Sequence, residues 1–161
     1  MPCNYLCPSP GGLEQILQAI IGEPVAVAID KNDRVDPDAP ALLGEFVSDE
    51  DTVGALCLVD HTAALTLGGV LAGVPTDATL QAIEGYKLDD SAIENVREVV
   101  NVLAQLFNSD FTPHLRFREL HRQPGKLPEA MTEFRRKPMA KRNFKVTVEK
   151  YATGHVSFLL G

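Results

Sequence analysis

The segment Asp90–Asn108 constrains the fold of this chain more than any other stretch of the sequence. At about 100° per residue its apolar side chains gather on one broad face, made of Ala92, Ile93, Val96, Val99, Val100, Leu103, Leu106 and Phe107. The opposite ridge is polar and carries Glu94, Glu98, Asn101 and Gln105, with Arg97 and Asn108 beside it. Asp89, Asp90 and Ser91 offer N-cap oxygens at its start. A helix with so wide an apolar face has to be buried against another layer of structure.

The rest of the chain supplies that layer as predicted strands. Apolar or alternating runs predict strands at Val25–Ile29, Leu42–Val47, Val53–Val59, His114–Leu120, Phe144–Lys150 and His155–Leu160. Further helices are predicted at Leu13–Ile21, Ala63–Gly73, Pro75–Glu84 and Pro128–Arg135. This order predicts an α/β fold of the α+β type, a mostly antiparallel sheet with helices packed on one face.

Size and cysteine usage narrow the class of protein. A chain of 161 residues that is 45% hydrophobic suits one domain, residues 1–161. It contains no apolar run of the ~18 residues that a membrane span needs, and its N-terminus lacks the pattern of a secretory signal. The cysteines are Cys3, Cys7 and Cys57, an odd number that favours the reducing cytoplasm. Cys3 and Cys7 could pair or share a metal, but no zinc-type spacing of Cys and His accompanies them.

Charge is distributed unevenly along the chain. The net charge is −7, yet residues 1–115 carry 18 acidic and 4 basic residues, and residues 116–161 carry 4 acidic and 11 basic ones. Most of the positive charge lies in Arg116–Lys145, which could bind an anionic partner in a strongly salt-dependent way or complement the chain's own acidic half. Nucleic acid is not an expected partner, because no aromatic platform or recognised motif accompanies the basic residues.

The other candidate sites have ordinary structural explanations. The loop Asp30–Pro40 partly resembles the calcium-binding loop of an EF-hand. Arg34, however, stands where an oxygen ligand is needed, and Val35 replaces the turn glycine. Ala41 replaces the bidentate acid, so no calcium site is predicted. None of the histidines stands beside a nucleophile in the sequence, which gives no Ser/His or Cys/His pair; they are His61, His114, His121 and His155.

Two neighbouring motifs carry a resemblance to a known family. Val53–Gly73 reads VGALCLVDHTAALTLGGVLAG, an apolar strand that runs into an alanine- and leucine-rich helix ending in glycine. The later helix contains ENVREVVN, with Glu98 and Asn101 separated by two residues and Glu94 four residues before Glu98. In these features the chain resembles the CheC/CheX/FliY family of chemotaxis phosphatases, whose fold also underlies the middle domain of the flagellar switch protein FliM. The correspondence covers Val53–Asn108 and, by element order alone, the rest.

The resemblance implies a phosphatase that hydrolyses the aspartyl phosphate of a CheY-like response regulator. By that resemblance Asn101 orients the attacking water with its carboxamide, and Glu98 pairs with a lysine of the receiver domain. Such chemistry is largely a matter of positioning. Any metal ion would belong to the receiver, so no cofactor is expected in this chain. Glu94, Arg97 and Gln105 would complete the docking ridge around the two catalytic residues.

Departures from the family pattern keep a second hypothesis open. Arg97 stands where the family usually has a small residue, and Gln105 stands where it usually has a glycine. Ala63–Gly73 lacks the second E-x-x-N of members with two sites, so the chain would be a single-site, CheX-like protein. Alternatively it is a non-catalytic interaction or dimerisation module on the same scaffold, which the bulk of Arg97 and Gln105 favours on chemistry alone. Edge pairing of the late strands would allow a homodimer.

Overall fold

The computed structural model describes residues 5–31, 41–122 and 129–161. Its strands form one six-stranded antiparallel sheet in the order β1-β5-β6-β3-β2-β4. Their bounds are β1 Val25–Ile29, β2 Ala41–Val47, β3 Val53–Asp60, β4 Arg116–Arg122, β5 Ala140–Val148 and β6 Gly154–Leu160. The helices are α1 Pro10–Ile21, α2 His61–Leu71, α3 Thr76–Glu84, α4 Asp90–Leu103 and α5 Glu129–Arg136, and a 3₁₀ turn, Ala104–Phe107, follows α4. Among the described residues no helix is both long and apolar enough to cross a membrane.

The architecture confirms the predicted α+β fold with its antiparallel sheet. The strand whose bounds differ most from the prediction is β5, which begins at Ala140 rather than Phe144. The reason lies in its partner, because Ala140 pairs with Leu160 of β6 and the polar residues between Ala140 and Phe144 are drawn into the ladder. A polar run gives no strand signal of its own, so pairing sets the length of this strand.

The late hairpin β5–β6 occupies the interior of the sheet, where each strand is paired on both sides. The expectation that the late strands would pair across a dimer is therefore wrong for these two, since neither has a free edge. The edges of the described sheet are β1 and β4. The expectation failed because strand order depends on long-range pairing, which the hydrophobic pattern of a single strand does not predict.

The main core lies between one face of the sheet and the helices α1, α2 and α4. Four phenylalanines link the strands to the end of α4, with Phe107 packed edge-on against Phe46 and Phe158, and Phe158 against Phe144. The short helix α5 lies on the other face, where Met131 contacts a smaller apolar cluster of Leu43, Leu56, Leu58 and Leu159. The helices are thus concentrated on one face, as predicted, and α5 covers part of the second.

Two glycines allow the helices to approach the sheet closely. A Cβ atom on Gly44 of β2 would lie 2.5 Å from Cγ1 of Val100 in α4. A Cβ atom on Gly154 of β6 would lie 2.5 Å from the backbone nitrogen of Ala63 in α2. Because a side chain at either position would displace its neighbour, these contacts fix how deeply α2 and α4 lie on the sheet.

Some predicted features fall outside the described residues. Cys3 is one of them, so the predicted pairing or shared metal of Cys3 and Cys7 cannot be followed in the structure. The others are residues 32–40 of the predicted loop and residues 123–128 of the basic segment. Cys57 is a free, buried thiol in β3, and burial raises the pKa of that thiol. A neutral buried thiol packs as a small apolar side chain, which is the role its sequence context indicates.

Candidate functional site

The helix α4 begins as its sequence predicts. Asp89 is the N-cap residue, and its Oδ1 accepts a hydrogen bond of 2.8 Å from the backbone nitrogen of Ala92. Asp90 adds a second acidic group in the first turn, where the positive end of the helix dipole favours negative charge. The start of the helix is therefore fixed at the position that the three oxygen-bearing residues indicate.

The buried face of α4 sets the direction of its polar ridge. Val96, Val99, Val100 and Leu103 are at most 1% exposed. Glu98 and Asn101 consequently point outward and are exposed, one turn apart on the same side of the helix. Neither side chain is engaged by another residue within the described ranges. A carboxylate and a carboxamide are thus presented together to solvent from a helix that the core holds in place.

Arg97 is held by the ridge residue that precedes it. Its Nε lies 3.4 Å from Oε1 of Glu94, and the two side chains are 40% and 69% exposed. This is an ion pair at the surface, worth a few tenths of a kcal/mol, but it directs the Arg97 side chain back toward the start of the helix. The ion pair thus places Arg97 beside Glu94, one turn toward the start of the ridge.

The ridge ends differently from the prediction, because the α-helix stops at Leu103 and not at Asn108. Gln105 lies in the 3₁₀ turn and is exposed. Because a 3₁₀ helix turns about 120° per residue rather than 100°, Gln105 follows Asn101 without the regular α-helical spacing of the ridge. The docking ridge in its regular, α-helical form therefore consists of Glu94, Arg97, Glu98 and Asn101.

Asn108 fixes the end of the 3₁₀ turn that follows α4. Its Nδ2 donates to the carbonyl oxygens of Ala104 and Leu115, at 3.1 and 2.8 Å, and its Oδ1 accepts from the backbone nitrogen of Leu115 at 2.8 Å. The side chain thereby ties the end of the 3₁₀ turn to the segment that leads into β4. Asparagine suits this role because its amide both donates and accepts, and its carboxamide is consumed by structure rather than offered to a partner.

A second polar cluster, not predicted from the sequence, lies on the face of the sheet opposite the main core. Glu45 of β2 has a side chain only 2% exposed, and it accepts hydrogen bonds from Arg118 at 2.6 Å and from His121 at 3.2 Å. Burial alone would raise the pKa of Glu45, but these hydrogen bonds and the attraction of the two basic groups hold that pKa below its usual range. Glu45 is therefore ionised at neutral pH.

The same cluster has the composition of a metal site, since ligand atoms of Glu45, Glu119 and His121 lie within 4.8 Å of one another. Arg118, however, already occupies one carboxylate oxygen of Glu45 and supplies the compensating positive charge. A cation would have to compete with that guanidinium. The arrangement is explained as an ion-pair cluster that makes a buried carboxylate tolerable.

We expect Arg118→Met to lower the free energy of unfolding by about 2 kcal/mol, because it leaves the Glu45 carboxylate buried with one basic partner fewer. Arg116→Met is the matched control, since Arg116 pairs with Asp51 where both side chains are exposed and such pairs contribute at most about 1 kcal/mol. Urea denaturation of both variants measures the difference. Adding Glu45→Gln to Arg118→Met should recover part of the loss, and equal losses for the two arginine variants would contradict the role of Glu45.

Much of the basic segment Arg116–Lys145 is engaged within the chain. Arg116 pairs with Asp51, Arg118 with Glu45, and Arg136 with Glu133. Arg122 donates to the carbonyl oxygen of Leu88 at 2.8 Å. The pairs with Asp51 and Glu45 join this segment to the chain's acidic half, which favours the interpretation that the positive charge complements that half.

His61, at the start of α2, has surroundings that shift its pKa. Its ring stacks on Tyr86, with centroids 4.5 Å apart. Burial lowers the pKa of His61, and a hydrogen bond to the backbone of Ile83 and the charge of Asp60 oppose that shift only in part. The folded protein therefore favours the neutral ring, which joins α2 to the end of α3.

We expect this histidine to make stability fall in mild acid. In the unfolded chain His61 binds its proton near pH 6.5, and in the folded chain only at a lower pH. Between those two values the unfolded state holds more protons, so the free energy of unfolding decreases as the pH falls, whereas above about pH 6.5 the group contributes no slope. In His61→Phe, which keeps a ring against Tyr86, that part of the slope should vanish.

Urea denaturation at several values between about pH 5 and pH 7.5 measures the effect of His61. His114→Phe serves as control, because the His114 side chain is 61% exposed. A His61→Phe variant that retains the full slope of the natural chain would show that the acid sensitivity arises elsewhere.

His155 lies between two carboxylates, one of them buried. Its Nδ1 is 3.0 Å from Oδ2 of Asp60, and its Nε2 is 3.6 Å from Oδ2 of Asp30. Asp60 also caps α2 through its other oxygen, which accepts from the backbone nitrogen of Ala63 at 2.8 Å. The histidine thus joins β6 to the start of α2 and to the end of β1, a structural role that sequence spacing did not predict.

No family model matches the chain, and no curated protein matches its sequence. Solved structures match its fold. FliY from Thermotoga maritima is 11% identical with a TM-score of 0.51, and the match covers 96% of this chain and 84% of that one. The FliM middle domain from Vibrio alginolyticus is 10% identical with a TM-score of 0.51, covering 94% and 88%. FliM from H. pylori, in its complex with SpeE, is 9% identical with a TM-score of 0.51, covering 94% and 80%. At these identities the similarity establishes the fold, which is a divergent CheC/CheX/FliY-like fold, as the sequence predicted.

Proposed function

We propose that the chain is a CheX-like cytoplasmic phosphatase that docks the ridge of α4 on a CheY-like receiver domain and hydrolyses its aspartyl phosphate. One observation carries this proposal. Glu98 and Asn101 are exposed, one turn apart and unengaged within the described ranges, on a helix anchored by the buried side chains of Val96, Val99, Val100 and Leu103. Their residue types and spacing match the E-x-x-N pattern of the family that the chain resembles.

The proposed chemistry needs a water molecule in line with the phosphorus of an acyl phosphate. The carboxamide of Asn101 can accept one hydrogen of that water and donate to a phosphoryl oxygen, and it keeps both abilities at any ordinary pH because it does not titrate. Holding the water in attack geometry replaces a costly bimolecular encounter, which is where such enzymes gain most of their rate. The metal ion and the acyl phosphate both belong to the receiver.

Glu98 would hold the receiver domain in place and would not transfer a proton in the reaction. An ionised carboxylate one turn from Asn101 can form a charge-assisted hydrogen bond with a lysine beside the acyl phosphate. That bond would fix the depth at which Asn101 enters the cleft. The anchoring of α4 supports this role, because a site on a rigid helix holds its geometry better than one on a loop.

The positions of Arg97 and Glu94 affect how closely a receiver domain could approach Glu98 and Asn101. Their ion pair turns Arg97 toward the start of the helix, so the bulk that replaces the family's small residue lies on the side of Glu94. Gln105 lies in the 3₁₀ turn, beyond the α-helical part of the ridge. The ion pair supports docking at Glu98 and Asn101 despite the larger side chain of Arg97.

The test is the decay of labelled phosphate on a panel of phosphorylated receiver domains. The natural chain should accelerate decay on at least one receiver, and the double variant Glu98→Ala/Asn101→Ala should not. The control is Gln81→Ala/Glu84→Ala, which removes an exposed carboxamide and an exposed carboxylate one turn apart on α3. The proposal fails if no receiver loses phosphate faster, or if the ridge variant and the α3 variant accelerate decay equally.

A non-catalytic interaction module is the second candidate function. It is favoured by the H. pylori FliM structure, which contains FliM bound to another protein, SpeE. On this hypothesis the folded chain would bind a protein partner or a second copy of itself and leave every receiver phosphate untouched. Gel filtration with light scattering, run beside the decay assay, separates a binding module from a phosphatase.

A further inference from the structure

Two side chains of α1 bind the outward amides of the edge strand β1. Oε1 of Gln18 accepts a hydrogen bond of 3.2 Å from the backbone nitrogen of Val25, and Oε1 of Glu14 accepts one of 3.1 Å from that of Val27. Among the described residues β5 is the one strand that pairs with β1. Because alternate amides of a strand face opposite sides, those of Val25 and Val27 point away from β5, where a further strand would otherwise bind them.

The composition of β1 suits the addition of another strand. Its sequence, VAVAI, contains no charged residue. Ala26 and Ala28 are exposed, and Ile29 is 63% exposed. An uncharged, apolar edge of this kind is the type on which a strand of another chain adds. Glu14 and Gln18 are four residues apart and so lie on one side of α1, which lets a single helix bind two successive outward amides.

The strand is complementary to a second copy of itself. In an antiparallel pair centred on Val27, Val25 of each copy would face Ile29 of the other. The amides of Val25 and Val27 that now bind α1 are those that such a pair would use. Just beyond the strand, the exposed and oppositely charged Glu23 and Lys31 would come together at both ends. The pairing is symmetric and therefore gives a closed dimer.

The other edge of the described sheet, β4, is not complementary to itself. An antiparallel pair centred on Glu119 would set Glu119 against its own copy and Arg116 against Arg122. Like charges directly opposite one another destabilise a pair of strands, and the register irregularity of β4 disturbs its ladder further. The charges of β4 therefore oppose self-pairing, whereas the sequence of β1 contains nothing that does.

We propose that β1 is an edge for association with a second copy of the chain, and that Glu14 and Gln18 keep the chain monomeric by binding its outward amides. The inference does not depend on phosphatase activity. A second copy would have to replace two of these hydrogen bonds in each chain, four in the dimer, so pairing gains little. Without the two side chains, the four amides lack a protein acceptor in the monomer and obtain one in the dimer.

Sedimentation equilibrium of the full chain over a wide range of concentrations compares the natural sequence with Glu14→Ala/Gln18→Ala. The variant should dimerise with a dissociation constant at least about a hundredfold lower, because four hydrogen bonds no longer oppose pairing. The control is Gln81→Ala/Glu84→Ala, which removes the same two side-chain types from α3 and should associate no more than the natural chain. Circular dichroism checks that each variant is folded.

A charge reversal tests the register of the dimer. Adding Lys31→Glu to the α1 double variant sets like charges against Glu23 at both ends and should weaken dimerisation about tenfold. Adding Glu23→Lys as well restores opposite charges and should restore the affinity. Both positions are exposed, so neither change should disturb the fold.

Amide hydrogen exchange gives a second readout. Val25 and Val27 should be protected in the natural chain, and in Glu14→Ala/Gln18→Ala only at concentrations where it is dimeric. The proposal is overturned if the folded double variant stays monomeric, if the natural chain dimerises equally well, or if the dimer is indifferent to the charge reversal and its rescue.

Discussion

Phe107→Ala should lower the free energy of unfolding by about 3 to 5 kcal/mol, the loss typical of a phenylalanine removed from a closed core. Phe107 is fully buried, and its ring centroid lies 4.9 Å from that of Phe46 and 5.7 Å from that of Phe158. Removal of the ring leaves a void between the sheet and the end of α4 that strand residues on both sides cannot fill without moving. Urea denaturation followed by circular dichroism measures the loss.

Phe111→Ala is the matched control for this prediction. It removes the same side chain four residues later, where the ring is 98% exposed, and exposed substitutions of this kind usually change stability by no more than about 0.5 kcal/mol. If the two phenylalanine variants were destabilised equally, the packing assigned to the end of α4 would be incorrect.

Asn101→Ala should reduce the turnover of a responsive receiver phosphate by about a hundredfold, because the attacking water loses the group that holds it in line. The concentration of receiver needed for half-maximal rate should change little, since the carboxamide is proposed to act on the water more than on the docked receiver. Glu98→Ala should mainly raise the receiver concentration needed for half-maximal rate, because Glu98 is proposed to dock the receiver. Its loss of turnover should be smaller than that of Asn101→Ala. Stopped-flow measurement of phosphate release over a range of receiver concentrations separates the two effects.

Gln81→Ala on α3 is the control for Asn101→Ala, because it removes another exposed helical carboxamide. It should leave both kinetic constants unchanged. Loss of turnover in this variant equal to that in Asn101→Ala would mean that the decay assay reports on the condition of the protein as a whole.

The sequence predicted what depends on local periodicity. The apolar face and the polar ridge of α4 follow from the helical spacing of its residues, and the cap at Asp89 follows from residue type. The position where the 3₁₀ turn after α4 ends was not predictable in the same way. It depends on Asn108, whose side chain bonds to the carbonyl and amide of Leu115, a contact that exists only when the chain has already turned back toward β4.

Features that depend on long-range pairing were missed for a related reason. Glu45 and Arg118 are 73 positions apart and meet because β2 pairs with β4, with a register irregularity beside Glu45. In the sequence Glu45 is the one charged residue of the predicted strand Leu42–Val47. A charge in an apolar strand indicates that a partner of opposite charge is buried with it, but the sequence does not show which residue that partner is. The interior placement of β5 and β6 likewise follows from strand order, and strand order is a property of the whole sheet.

The measurement that most directly tests the docking of a receiver on α4 is a titration of the ¹⁵N-labelled chain with the beryllofluoride adduct of the responsive receiver. The adduct mimics the acyl phosphate and is not hydrolysed, so the complex persists during the experiment. We expect the largest amide shifts at Glu94, Glu98 and Asn101, with little change at β4 and α5. Shifts confined to β4 and α5 would instead place the partner on the opposite face of the sheet and contradict the proposed site.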